Sequence, residues 1–390
     1  MQKLVSQDRK AFIDDMLKRI TESLQLNATR RKLVEERYGA VSKFIEQSEG
    51  LFHDARIYAQ GSYRLGTTVR PRQGDEFDLD FVVQIDRDWR NVPFNIVYNN
   101  FRRLMESNGN WGNLVEPKSR CIQLNYADEF HMDIIPTCTE NQFGDKNRIM
   151  VPDRAEHNWV ISNPEGYALW FEKKYIQQKD IYLHNFYPGM EIRAAQELPK
   201  DDPNHLKQPL QHAVQLVKRY RDIYFENREN LAPSSIVLTT LVAQLYNGEN
   251  SIYDTINKFA QRFNESVAFE RQYSRQFHVT NPVLPQEIFT KKWETDPKLF
   301  RAFIEFVNSL SQLWRELNEA MGNDLFELLK KSFGTGTFED AYKKHGEFVA
   351  EMRKKEKTGI HRETGMAAGF GAAGVHRDKQ NTFDGGRWLK

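Results

Sequence analysis

A chain of 390 residues with 39% hydrophobic and 12% aromatic content can build a sizeable core across two or three domains. Its 55 Lys and Arg balance 54 Asp and Glu, which excludes both a disordered polyelectrolyte and a protein that coats nucleic acid by bulk charge. Two cysteines exclude a disulfide framework, in a cytosol they should stay thiols and form no disulfide-linked oligomer, and no apolar run reaches the ~20 residues of a membrane span. The first residues carry no secretory h-region, so a cytoplasmic protein with no membrane attachment is expected.

Apolar residues recur at helical spacing over 8–26 (Phe12, Met16, Leu17, Ile20, Leu24) and over 28–48, where Gly50 supplies a stop. These helices are expected to form a packing unit over 1–50. The stretch ARIYAQGS then reads as a strand entering a turn, and FDLDFVVQI, 77–85, as a strand rich in β-branched and aromatic residues. Val97, Phe101 and Leu104 mark a helix. The runs 121–126 and 130–136, split by Ala127-Asp128-Glu129, predict a hairpin. A mixed α/β unit over 51–190 follows.

Helix then follows helix at 209–226, 234–246, 252–268, 297–320, 325–332 and 338–357, with Asp296-Pro297 as a start signal. This predicts a helical unit over 191–358. Residues 359–390 hold seven of the 22 glycines and no apolar period, so a flexible tail is expected. Phe370, Phe383 and Trp388 within it suggest docking on a protein partner or another subunit.

Chemistry concentrates in Gly61-Ser62, Asp78-Leu79-Asp80 and Asp133. Residues two apart on a strand share a face, so Asp78 and Asp80 project together while Phe77, Leu79 and Phe81 turn to a core. Asp133, in the apolar strand HMDIIP, supplies a third carboxylate. Converging carboxylates are costly without a cation, and hard oxygen donors select Mg²⁺ or Mn²⁺. Two such ions are a standard device for phosphoryl transfer. Gly61 lets the backbone approach phosphate oxygens closely, and Ser62 adds a hydroxyl.

Blander readings apply elsewhere. Glu76 shares the parity of Asp78, so a register using that pair is open, although the apolar bracketing favours Asp78 and Asp80. Asp86-Arg87-Asp88 reads as a solvated strand end, and His131 as a partly exposed strand residue. Cys121 and Cys138 would face one another across the hairpin as thiols. The cations of Lys218-Arg219-Tyr220-Arg221 read as a solvated helix face, and Ser234-Ser235 as an N-cap pair.

Together these residues resemble the DNA polymerase β nucleotidyltransferase superfamily, and within it the cyclic GMP–AMP synthase/DncV-like nucleotidyltransferases (CD-NTases). GSYRLGTTVRP with DEFDLDFVVQI is similar to their Gly-Ser and metal-carboxylate segments, and HMDIIP to their third-carboxylate strand. QLVKRYRD and APSSIVLTTL resemble the segments that hold the donor triphosphate. The resemblance therefore assigns that role to Lys218 and Ser235, with Ser234 as a neighbouring candidate.

It implies a polymerase-β-like α/β lobe with a mixed sheet, a C-terminal helical lobe, and a cleft between them. The implied activity joins NTPs, ATP or GTP, into a cyclic di- or trinucleotide that acts on a downstream effector in bacterial antiphage signalling. Two features depart from the pattern. The 16-residue interval from Ser62 to Asp78 is long and would put an inserted loop, 66–76, near the nucleotide. The ending Gly385-Gly386-Arg387-Trp388-Leu389-Lys390 lacks the small terminal residue of members conjugated through their carboxyl terminus. Rival readings are a template-independent transferase acting on RNA ends, a protein or a small molecule, and a non-catalytic nucleotide or RNA binder.

Overall fold

The two amino-terminal amphipathic helices bury their apolar faces in different places. In the computed structural model, which describes residues 7–72, 77–126, 130–140, 144–176, 207–355, 358–361, 367–369 and 375–377, the chain divides into two compact units. One comprises 24–307, the other 1–23 with 308–390. Helix α1 (Gln7–Ser23) belongs to the second unit and α2 (Ala28–Glu46) to the first.

In the first unit, α2 lays Val34, Tyr38, Val41 and Ile45 on a seven-stranded sheet. Strand β1 (Arg56–Ala59) leads through the single turn α3 (Gly61–Arg64) to β2 (Phe77–Asp88), with which it pairs antiparallel. Helix α4 (Phe94–Glu106) follows, and then β3 (Val115–Pro117), β4 (Ile122–Tyr126) and β5 (Phe130–Thr139). The expected hairpin is β4–β5, and β5 lies parallel to β2, so the sheet is mixed. Strands β6 (Ile149–Asp153) and β7 (Asn158–Ser162) extend it from the far end of β5.

Alternation sorts the two faces of this sheet. Leu79, Phe81, Met132 and Ile134 are fully buried with Val97 and Phe101 of α4. Each such side chain is worth roughly 1.5–3 kcal/mol of burial. The opposite parity carries Asp78, Asp80 and Asp133 first, then a small apolar cluster of Tyr58, Val82, Ile149 and Val151 with Ile135 packed on it.

Helix α5 (Pro164–Ile176) is followed, after 207, by α6 (Pro209–Tyr224), α7 (Ser235–Gln244) and α8 (Ile252–Gln272). Gln211 in the first turn of α6 accepts from the Gln208 backbone N–H at 3.0 Å, and its amide donates to the Leu65 carbonyl at 3.0 Å. That bond ties α6 to the turn behind Gly61. A small hairpin, β8 (Thr280–Asn281) with β9 (Leu284–Ile288), and the short α9 (Lys292–Thr295) precede α10 (Pro297–Glu319), the helix through which the unit boundary passes.

In the second unit α1 packs along α12 (Thr335–Lys354), with α11 (Gly322–Phe333) beside it. Arg9 donates to the Leu317 carbonyl at 2.8 Å. Where glycine density predicts no regular elements, β10 (Thr358–His361) pairs with β11 (Ala367–Gly369) and β12 (Val375–Arg377). Backbone pairing needs no apolar period, which is why composition missed it. Phe370, Phe383 and Trp388 lie outside the described residues. Among the described residues no helix is long and apolar enough to cross a membrane.

The two cysteines do not face each other. Cys138 sits opposite Met150 of β6 and Ile85 of β2, whereas Cys121 precedes β4, and both are free thiols. The register explains it: Ile122 already pairs with Ile134, leaving Cys138 beyond the hairpin.

Candidate active site

The turn at Gly61 is the point where backbone and carboxylate meet. Gly61 has φ +63°, and a Cβ there would lie 2.3 Å from Asp80 Oδ2, so only glycine fits. The Gln60 N–H donates to the Asp80 carbonyl at 2.9 Å, which holds the turn against β2. Ser62 follows, its hydroxyl 3.3 Å from Thr68 Oγ1, while its carbonyl accepts from Thr67 N–H at 2.9 Å.

Asp78 is exposed and Asp80 half-buried on the same face of β2. Parallel register sets Asp80 beside Asp133 and Asp78 beside His131. Asp133 Oδ1 accepts from the Gln123 amide at 2.8 Å across β4. Burial, followed by the charges of Asp133 and Asp78, pushes the Asp80 carboxyl up to about 7, with Lys218 opposing. That like-charge stress is what a cation relieves, and the all-carboxylate donor set suits Mg²⁺ or Mn²⁺. Among the described residues, however, no three acidic, imidazole or thiol groups already converge as a finished ion cage. The donors have the right chemistry, and the cage is not closed.

Facing β2 across a cavity of about 540 Å³ are α6 and α7. Gly61, Ser62, Asp78, Asp80, Lys218 and Ser235 all line it, whereas Ser234 and Asp133 do not. Lys218 and Arg219 are only 5% and 3% exposed, which corrects the solvated-face reading of this helix. The described part of the 66–76 loop packs over α6 here, so the cations turn inward to bond its carbonyls. Lys218 Nζ donates to Thr67 O at 3.2 Å and Thr67 Oγ1 at 3.4 Å, and Arg219 bonds Arg70 O. Burial and then Arg221 pull the Lys218 ammonium down to about 7, against Asp222 and Asp80.

Ser234 takes the N-cap position of α7, but its hydroxyl makes no cap bond, so the expected N-cap pair does not form. Ser235 opens the helix, and its Oγ accepts from Arg221 at 3.2 Å; Arg221 also donates to Pro233 O at 3.0 Å.

Three cations went unassigned by sequence reasoning. Arg70, Arg72 and Arg221 also line the cavity. Arg72 pairs with Glu226 and donates to the Asp222 carbonyl at 3.2 Å. Their signal was present: two arginines in the long loop and one a helical turn from Lys218. Residues 73–76 of that loop, Glu76 among them, lie outside the described residues. A walled cavity with carboxylates on one side and Lys and Arg on the other is built for a polyanion carrying a divalent cation.

This arrangement defines a nucleotidyltransferase with the polymerase-β-like fold, and known proteins agree. The family described as the Second Messenger Oligonucleotide or Dinucleotide Synthetase domain matches residues 12–174. A c-di-GMP synthase of Roseivirga ehrenbergii is 32% identical over 354 residues, covering 90% of this chain and 92% of its own. The cyclic dinucleotide synthase CdnG of Bradyrhizobium diazoefficiens is 22% identical over 371 residues, covering 91% and 88%. The solved structure of that CdnG in complex with GTP superposes with a TM-score of 0.67, at 22% identity, over 85% of this chain and 98% of its own. The chain belongs to the cyclic GMP–AMP synthase/DncV-like nucleotidyltransferases.

Proposed function

We propose that this enzyme joins two NTPs, at least one of them GTP, into a cyclic dinucleotide that acts on a downstream effector in bacterial antiphage defence within the cytoplasm. The single observation that carries the reading is the cavity in which Gly61, Ser62, Asp78 and Asp80 meet Lys218 and Ser235. The names of the two relatives support a dinucleotide over a larger ring.

In this reading the donor triphosphate lies between the Gly61-Ser62 turn and the cationic wall. Lys218, already held by Thr67, and Ser235, oriented by Arg221, grip its outer phosphates. Arg70 and Arg72 neutralise further charge from the loop. Asp78 and Asp80 would hold two Mg²⁺ or Mn²⁺ ions, and Asp133, beside Asp80 in register, would help hold the one that activates the attacking sugar hydroxyl. When bound, the ions polarise the reacting phosphate and lower the pKa of the attacking sugar hydroxyl. Gln123 fixes the Asp133 carboxylate so that one of its oxygens keeps its direction. The sugar hydroxyl of one NTP attacks the α-phosphate of the other and releases pyrophosphate to give a linear product, and a second, intramolecular attack on the remaining triphosphate releases a second pyrophosphate and closes the ring.

Incubation with Mg²⁺ and each radiolabelled NTP, singly and in pairs, tests the proposal. A phosphatase-resistant product formed without any added acceptor is expected. A product that forms only when RNA is supplied would instead establish end-directed transfer.

A further inference from the structure

The phosphate-facing cavity continues into a second space on the sheet side. This cavity, about 390 Å³, shares Gly61, Leu65, Asp80 and Ile236 with the first, so both open on one carboxylate. Its walls are apolar along one side, with Ile135, Val151, Val160, Ile161 and Phe289, and the two arginines that also reach it, Arg64 and Arg120, are paired with Glu172 and Asp153. Slots of this size and lining take flat, largely apolar groups and orient them with a few polar contacts.

A carboxylate cluster lines the slot. Glu287 of β9 accepts from Asn281 Nδ2 at 2.7 Å and, at the long distance of 3.4 Å, from Ser162 Oγ of β7. Asn281 is 2% exposed, so its amide is fixed in place. Burial pushes the Glu287 carboxyl up, while Asn281, Ser162 and Arg120 oppose that shift. An ionised carboxylate has about four acceptor positions, and these two bonds leave room for two more.

The matching ligand edge carries two adjacent N–H donors in one plane. Among the common bases only guanine has that, at N1 and the 2-amino group. Adenine and cytosine set a ring-nitrogen lone pair beside their amine, and uracil flanks its single N–H with carbonyls. A carboxylate facing those edges meets an acceptor, which is penalised in an apolar slot.

Resting on the cyclic-dinucleotide reading above, we infer that Glu287, positioned by Asn281 and Ser162, reads the guanine edge of the acceptor nucleotide. It is a specificity residue lying outside the phosphate and carboxylate machinery. It comes from a short hairpin following α8, far in sequence from every motif that names the family.

The experiment compares GTP with ITP, which lacks the 2-amino group, in the wild-type chain and in Glu287→Gln. Wild-type kcat/KM for cyclic product should fall about tenfold from GTP to ITP, since a hydrogen bond to a charged group is lost. Glu287→Gln should abolish that gap, acting through KM more than kcat. A folded Glu287→Gln enzyme that keeps the wild-type GTP-to-ITP ratio would overturn the assignment. Should the variant not fold, equal wild-type use of GTP and ITP overturns it, and a tenfold gap supports it. If the wild-type chain makes no cyclic product at all, the functional reading fails separately. Calorimetric binding of GTP and ITP to wild type and variant then decides: a preference for GTP that disappears in Glu287→Gln supports guanine reading, and equal affinities in wild type refute it.

Discussion

Gly61 is the residue on which the candidate site turns. Its positive φ and the 2.3 Å approach of a hypothetical Cβ to Asp80 Oδ2 leave no room for any side chain. Gly61→Ala should therefore displace the Asp80 carboxylate and cut kcat at least a hundredfold, while the turn strain costs only about 1–2 kcal/mol of stability. A variant with normal turnover would show that the close approach has no part in catalysis. Asp80 gives a paired test with opposite signs. Its carboxyl is pushed to about 7 by burial and by Asp133 and Asp78, so its ionised form weakens the metal-free fold. Asp80→Asn should raise the melting temperature in chelator at pH 8 and abolish turnover with Mg²⁺. A lower melting temperature would mean that the carboxylates do not repel one another as placed.

At the scale of elements, alternation and helical period made much legible. The parity of 78 and 80 against buried Leu79 and Phe81, the β4–β5 hairpin, and α4 with α6, α7, α8, α10, α11 and α12 can all be read from spacing, whereas the single turn of α9 is too short to show a period. The inward turn of Lys218 and Arg219 could not, because charge on a helix face predicts solvent unless a distant segment supplies acceptors. Here that segment is 67–70, some 150 residues upstream in the chain. For the same reason the Glu287–Asn281–Ser162 cluster was invisible: Ser162 meets the hairpin pair Asn281 and Glu287 only through the folding of β9 onto β7. Lys218→Met keeps the packing and removes the ammonium. It should raise KM for NTP tenfold or more and leave the melting temperature unchanged or higher, since burial already disfavours the charge.

The end of β6 carries a stability prediction of its own. Asp153 is 2% exposed and accepts from Ser119 Oγ at 2.6 Å, Arg120 Nε at 2.5 Å and Ala155 N at 2.9 Å. Burial opposes ionisation, but the bonds from Ser119 and Arg120 prevail and hold its carboxyl down at about 2, from 3.8. A depressed carboxyl stabilises the fold above its unfolded pKa and loses that contribution as pH falls through the folded value. About 2 kcal/mol should thus vanish between pH 4 and pH 2 in wild type and be missing at pH 7 in Asp153→Asn. Urea titrations at pH 7 and pH 3 would show it, and an unchanged midpoint for Asp153→Asn at pH 7 would contradict it.

Across the whole molecule, every residue assigned a role lies within 24–307, while the second unit gathers both ends of the chain. Deleting residues 356–390 should leave kcat/KM for NTPs within about twofold, because no assigned residue is lost. Collapse of turnover would make the carboxyl-terminal segment part of the catalytic unit. The most direct test of the central claim is mass spectrometry of the phosphatase-treated product from GTP and Mg²⁺, alone and with each other NTP, with Asp78→Asn/Asp80→Asn as control. The wild-type chain should yield a cyclic dinucleotide containing at least one guanine and the double variant at least a thousandfold less, roughly 4 kcal/mol of transition-state stabilisation. No cyclic product from GTP alone or with any other NTP, or equal product from the double variant, would contradict the account.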